Sequence, residues 1–175
     1  MELLDVLDEN GKETGEIEDK DIIHKKGLYH KEVEVWIVNE EGKILIQKRA
    51  ENKKQAPNKW SITAGHVESG ENVEDAMVRE IKEEIGIDCK KEDLKLILIA
   101  KHHSYRGDNN TFRYGYFYRT NKKITDFTIQ QEEVSELKYI TLQQLEQIVK
   151  QKDNNYLFYT WEYIQEVIHY LKNKI

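Results

Sequence analysis

Residues 65–87 read GHVESGENVEDAMVREIKEEIGI. Gly65 and Gly70 bracket His66 to Ser69 as a tight turn. Asn72 is a good N-cap, because its side-chain oxygen can accept an orphan N–H of the first helical turn. Gly86 suits the left-handed residue that closes a helix. The spacing therefore predicts a helix between Asn72 and Gly86. Met77, Ile81 and Ile85 recur at spacing four and form an apolar stripe. Arg79, Glu80, Glu83 and Glu84 lie inside that helix, and positions three and four apart share a face, so Glu80 sits above Glu83 and Glu84. Such a helix can lie on a sheet while holding three carboxylates beside the glycine turn.

Those carboxylates repel, at a cost of a few tenths of a kcal/mol per pair, roughly, on an isolated helix. Water or a divalent cation relieves the repulsion. Alone, an ExxEE pattern is more often a solvated acidic face. Here the glycine turn can bring backbone carbonyls to the same point. Hard oxygen donors without cysteine suit Mg²⁺ or Mn²⁺. Arg79 can pair with Glu71 or Glu83 and orient the acidic side chains.

The order Gly65, Glu71, Arg79, Glu80, Ile81, Glu83, Glu84, Gly86, Ile87 resembles the Nudix box at every fixed position, with no spacing altered. The resemblance implies an α/β (α+β) Nudix fold, a mixed β-sheet sandwiched between α-helices. It implies a metal-dependent hydrolase that cleaves the diphosphate of a nucleoside diphosphate linked to another moiety. It also implies Glu80 and Glu84 as metal ligands, Glu83 as a third, and the carbonyls of Ala64 or Gly65 completing the site. Glu71 is expected to hold the turn to the helix through Arg79. Arg79 is a catalytic candidate with Glu83 and Glu133, although an ion-pair role is a plainer reading than a substrate contact. Glu68 is expected to stay exposed. The general base in this family is often a box glutamate, such as Glu83, or one on a later loop. The segment QQEEVSELKYI resembles that loop and makes Glu133 the candidate, beside Glu132 and Glu136. A solvated acidic loop is the plainer reading of the same residues.

A chain of 175 residues is most simply one domain, 1–175, with an N-terminal hairpin and lead-in over 1–30. Hydrophobic residues make up 38% and charged ones 34%, as in a soluble globular protein. The net charge of −6 argues against a nucleic-acid polymer as partner, since phosphate backbones require clustered Lys and Arg. A small-molecule diphosphate is still admissible through a bridging cation. No apolar run reaches membrane-spanning length and no signal-peptide pattern is present, so no membrane partner is expected. The single cysteine, Cys89, permits no internal disulfide and suits a reducing cytoplasm. Cys89 reads as a core or near-core residue. Oligomeric state stays open, a homodimer included.

Outward from the box, Trp60 to Gly65 is the strand that feeds it. Before that, Lys31 to Asn39 alternates, with Val33, Val35 and Ile37 on one face and Trp36 and Val38 on the other. Glu40-Glu41-Gly42 turns the chain and KILIQKR returns, as a hairpin of central strands. Met1 to Ile17 reads as another hairpin, Glu18 to His30 as irregular, and Ala50 to Asn58 as a basic loop. After the box, strands are expected over Leu94 to Lys101, Phe112 to Arg119 and Leu137 to Ile140. Helices are expected over Leu142 to Lys150 and Tyr156 to Lys172. Specificity is expected from the loops Lys48 to Lys59 and His102 to Thr111. Tyr105, Tyr114 and Tyr116 are further candidates, although strand aromatics more often belong to the core.

The layout LDVLDENGKETG, IIHKKGLYHKEVEVWIVNEEGKILIQKRA and WSITAGHVESGE also resembles type I isopentenyl-diphosphate isomerases. Those enzymes bind a metal through histidines at positions resembling His24, His30 and His66. They use a cysteine where this chain has Ala64, and glutamates on a later strand that here reads TFRYGYFY. Moving a proton at carbon requires a positioned acid and base, and both expected groups are missing. The residues favour hydrolysis over isomerisation and over a non-catalytic ligand-binding module. His24, His30 and His66 can form a second metal site, while structural or exposed histidines are the plainer reading.

Overall fold

The computed structural model describes residues 2–103, 109–158 and 161–175, with the backbone alone at Trp161. In chain order come β1 (Leu3–Leu7), β2 (Glu13–Asp19), α1 (Lys20–Lys26), β3 (Tyr29–Asn39), β4 (Ile44–Arg49), β5 (Trp60–Ser61) and β6 (Thr63–His66). There follow α2 (Val73–Ile85), β7 (Lys95–His102), β8 (Asn110–Thr120), β9 (Val134–Ile140), α3 (Leu142–Gln151) and α4 (Trp161–Lys172).

β3 is the spine of the sheet. Along one edge it runs parallel to β8, from Tyr29 opposite Asn110 to Asn39 opposite Thr120. Its other edge is divided among three antiparallel partners. β1 pairs at Tyr29, β6 from Glu32 to Val35, and β4 at Val38. β4 then diverges and pairs with β9 and β5. β7 extends the sheet beyond β8, and β2 extends it beyond β1.

The period of two sends Val33, Val35 and Ile37 to one face, where they meet Met77, Ile81 and Ile85 of α2. Trp36 and Val38 go to the other face and pack with Ile164, Val167 and Leu171 of α4 and Leu145 of α3. Full burial of each such aliphatic side chain contributes roughly 1.5–3 kcal/mol. The mixed sheet between helices expected from the sequence is therefore present.

Several boundaries differ from expectation. Residues 18–30 contain α1, capped by the Asp19 side chain on the Asp21 N–H and closed by Gly27 at φ 64°. Only Ile23 of this helix is buried, against Leu4 and Val6, which is why its polar sequence showed no stripe. The Trp60–Gly65 strand is split at Ile62. Because β4 leaves β3, the chain must change partner there, from β4 to β3. For the same reason β3 and β4 form a hairpin only at its tip, where Val38 faces Ile44. The last helix starts at Trp161 rather than Tyr156. Trp60 donates to the Asn155 carbonyl at 2.8 Å and accepts from the Leu157 N–H at 2.7 Å, which holds that stretch extended. β8 and β9 are longer than their apolar runs, because partner strands on both sides of β8, and β4 beside β9, satisfy their polar ends too.

Candidate functional site

α2 is fixed at both ends before it carries any chemistry. The Asn72 side chain accepts from the Asp75 N–H at 3.0 Å, and Gly86 closes the helix at φ 70°. The apolar stripe sets the rotation of the helix on the sheet, so Glu80 and Glu84 face β6. Gly65 matters here for space. A Cβ at this position would lie 2.0 Å from Glu80 Oε1, so only glycine lets the carboxylate come against the strand.

Ala64, Gly65, Arg79, Glu80, Glu83, Glu84 and Glu133 all line one cavity of about 270 Å³. Lys20, Arg49 and Lys53 form its basic rim. The candidates named from the sequence are thus brought together. Arg79 organises them. It donates to both Glu71 oxygens at 3.1 and 3.0 Å, to Glu80 Oε1 at 2.7 Å, to Glu83 Oε2 at 3.2 Å and to the His66 carbonyl at 2.9 Å. Burial opposes the guanidinium charge, but Glu71 and Glu80 outweigh it and hold the group firmly protonated. Arg79 is consumed by these contacts, as an ion-pair residue is expected to be. Glu71 joins the turn to the helix, and Glu68 is exposed at the rim.

Glu84 is only 6% exposed. Its Oε2 accepts from Gln47 Nε2 at 2.8 Å, and Gln47 in turn accepts from Thr63 Oγ1 at 2.8 Å. Burial, followed by the charge of Glu80, pushes the Glu84 carboxyl up to about 8. Burial also raises Glu80, against the pull of Arg79. A buried Glu84 carboxyl held by a neutral amide, beside Glu80 and a glycine cradle, fits a hard divalent cation. Glu133 sits across the cavity, ion-paired with Lys53 of the basic loop.

The alternation of β6 sends His66 and Ala64 to the opposite side from Gly65. There His66 stands opposite Glu32 of β3 and joins His30 of β3 and His24 of α1. The three ring centroids form a near-equilateral triangle, 5.2, 5.3 and 5.2 Å on a side. Their potential ligand atoms lie within 4.8 Å of one another. His66 Nδ1 is 2.9 Å from Glu2 Oε1, and His30 Nδ1 is 3.4 Å from the Leu28 carbonyl. An acceptor at Nδ1 keeps the proton there and leaves Nε2 as a free lone pair. The Nε2 atoms of His24 and His30 are buried and have no hydrogen-bond partner. Burial lowers both groups, His30 to about 4, so both are neutral at pH 7, the form that binds metal. The histidines expected to be structural or exposed therefore make a compact donor set. These orphaned nitrogens fit a cation bound by imidazole.

The sequence reading missed Glu2, Lys20, Glu32 and Gln47, because none belongs to a motif and each reaches the site through tertiary packing, Glu32 and Gln47 on paired strands. Lys53 and Arg49 face the cavity, whereas basic loop residues are more often merely exposed. Tyr116 is buried and Tyr114 partly buried in the α2-side core, as the plainer reading held. Tyr105 lies outside the described residues. Cys89 is half-buried against the same core, and burial raises its thiol to about 11, which leaves it unreactive at neutral pH.

A mixed sheet carrying a glycine turn and a glutamate-rich helix between helical layers is a Nudix domain. The family model for the NUDIX domain matches residues 28–161, and the chain belongs to the Nudix hydrolase family. It is 38% identical over 157 residues to an uncharacterized Nudix hydrolase of Clostridium acetobutylicum, covering 86% of this chain and 75% of that protein. It is 29% identical over 160 residues to a protein of Photorhabdus laumondii named isopentenyl-diphosphate Delta-isomerase 2, covering 89% and 86% respectively. Its fold is similar to a crystal structure from Deinococcus radiodurans, with TM-score 0.68, 22% identity and coverage of 86% and 90%. Among the described residues, no helix is long and apolar enough to cross a membrane.

Proposed function

We propose that this hydrolase cleaves the diphosphate linkage of a nucleoside diphosphate joined to another moiety, with Mg²⁺ or Mn²⁺. The observation that carries this reading is the single cavity in which Glu80, Glu83 and Glu84 meet the Ala64–Gly65 backbone under a rim of Lys20, Arg49 and Lys53. Glu80, Glu84 and the Ala64 or Gly65 carbonyls would hold the cation, with Glu83 as a further ligand. When bound, it would neutralise the diphosphate and polarise the phosphorus centre. The basic rim orients the phosphates. Glu133 accepts the proton of the attacking water as a new O–P bond forms and the bridging P–O bond breaks. Lys53 holds the Glu133 carboxylate on the cavity wall.

A panel of nucleoside di- and triphosphates, nucleotide sugars and dinucleotides tests the reading. We expect cleavage only with divalent cation, and a loss of at least about 10²-fold in kcat/KM for Glu83→Gln and Glu84→Gln. No cleavage of any diphosphate, or unchanged rates in both variants, refutes it.

The likeness to the Photorhabdus protein, together with the histidine triangle, supports prenyl-diphosphate isomerisation as a second reading. Ala64 offers no acid or base at the position facing that triangle. Deuterium uptake from solvent into isopentenyl diphosphate decides between them, and we expect none.

A further inference from the structure

The histidine triangle has a carboxylate neighbour whose geometry is not that of an ordinary ion pair. Glu32 Oε1 lies 3.6 Å from His66 Nε2 and 3.9 Å from His30 Nε2. Both distances are too long for a hydrogen bond. They are close to the separation of two donors on one cation, roughly 3.4 Å for tetrahedral bonds of about 2.1 Å. The ligand atoms of the three histidines thus lie close together, and one carboxylate oxygen flanks those of His30 and His66.

The other oxygen explains why Oε1 is presented in this way. Arg113 of β8 is 1% exposed and donates to Glu32 Oε2 from both Nη2 and Nε, the latter at 3.2 Å. Asn109 Nδ2 donates to Oε1 at 3.1 Å, which occupies one of its two lone pairs. Parallel register places Arg113 opposite Glu32, so the fork comes from a rigid strand rather than a loop. Arg113 also lies 3.6 Å from Glu34, the next residue on the same face of β3. The fork on Glu32 is the closer contact, so the guanidinium is committed to that carboxylate.

We propose that Glu32 is the fourth donor of the histidine cluster and that Arg113 is the positioning residue that turns its carboxylate toward the imidazoles. The proposal rests on reading the cluster as a cation site. Three imidazoles and one carboxylate favour a transition ion such as Zn²⁺ or Co²⁺ over Mg²⁺, which prefers all-oxygen coordination. The site is therefore distinct in chemistry from the box carboxylates, although both meet at β6.

Co²⁺ is titrated into the full chain with millimolar Mg²⁺ present, followed by calorimetry and by visible absorption, which reports donor type and coordination number. The wild type should bind one Co²⁺. Glu32→Gln should weaken binding at least tenfold and shift the band. Glu32→Gln/Arg113→Gln removes the Glu32–Arg113 ion pair as a whole, so it should stay folded by circular dichroism yet remain weakened. Arg113→Gln should lose about 10–100-fold, the range for residues that orient a ligand, and Arg113→Lys should recover part of it with the wild-type band. If the wild type binds no Co²⁺, the cluster is not a cation site and the whole reading falls. If the wild type binds while Glu32→Gln and the double variant keep its affinity within threefold and its spectrum, the cluster stands and Glu32 is overturned as donor.

Discussion

Replacing Gly65 by alanine separates space from folding. The backbone of Gly65 is not among the positive-φ positions, so alanine is conformationally allowed there. The added Cβ would lie 2.0 Å from Glu80 Oε1 and 2.1 Å from its Cδ. Ordinary contact begins near 3.4 Å, so the carboxylate must retreat by about 1.4 Å. It sits at the far end of a flexible side chain, and Arg79 can follow it, so the fold loses no more than about 1–2 kcal/mol. The cation site loses its geometry. A misplacement of about 1 Å costs on the order of 10²-fold in rate, equivalent to about 2.7 kcal/mol of barrier. The assay compares Mn²⁺ affinity by calorimetry and phosphate release with the best substrate, beside urea unfolding. Mn²⁺ binding and kcat/KM both within twofold of wild type would refute the cradle argument. Simple unfolding of the variant would refute the claim that Gly65 serves the site and not the fold.

Without metal, the raised Glu84 carboxyl makes the folded state bind a proton that the unfolded state has released. Its stabilising contribution is present below about pH 4.5 and is lost as pH rises through about 8. Glu84→Gln should therefore be more stable than wild type at pH 8 and show a flatter stability profile between pH 5 and 8, by urea titration at several pH values. Arg79→Ala should lower metal-free stability by roughly 2–4 kcal/mol, because three carboxylates lose one shared cation. Added Mn²⁺ should recover part of the melting temperature, and no recovery would show that the carboxylates do not converge on a cation. Glu133→Gln should cut kcat by about 10²-fold or more with Mn²⁺ affinity unchanged in calorimetry, as a general base requires. A loss of Mn²⁺ affinity would make Glu133 a ligand instead.

The box was legible because it is local. Helix periodicity, an N-cap, a glycine terminator and three carboxylates fall within one stretch, 65–87, and their mutual geometry follows from 3.6 residues per turn. The alternation of β3 was equally plain, since each face is buried against its own helices. The short helix α1 was hidden, because a turn or two with one buried residue leaves no periodic signal. The break between β5 and β6 was hidden because it arises from where β4 parts from β3, which neither segment records alone.

By itself, then, the sequence determined the glutamate helix, the glycine that admits it, and the family to which both belong. Only the tertiary structure decided that His24, His30 and His66 come together beside Glu32, that Gln47 holds Glu84, and that Lys53 reaches the carboxylate cavity. The reason is physical. Donors within one helix are related by a fixed rise and rotation, whereas donors on α1, β3 and β6 are related only by strand register and packing. Those are set when the whole sheet closes.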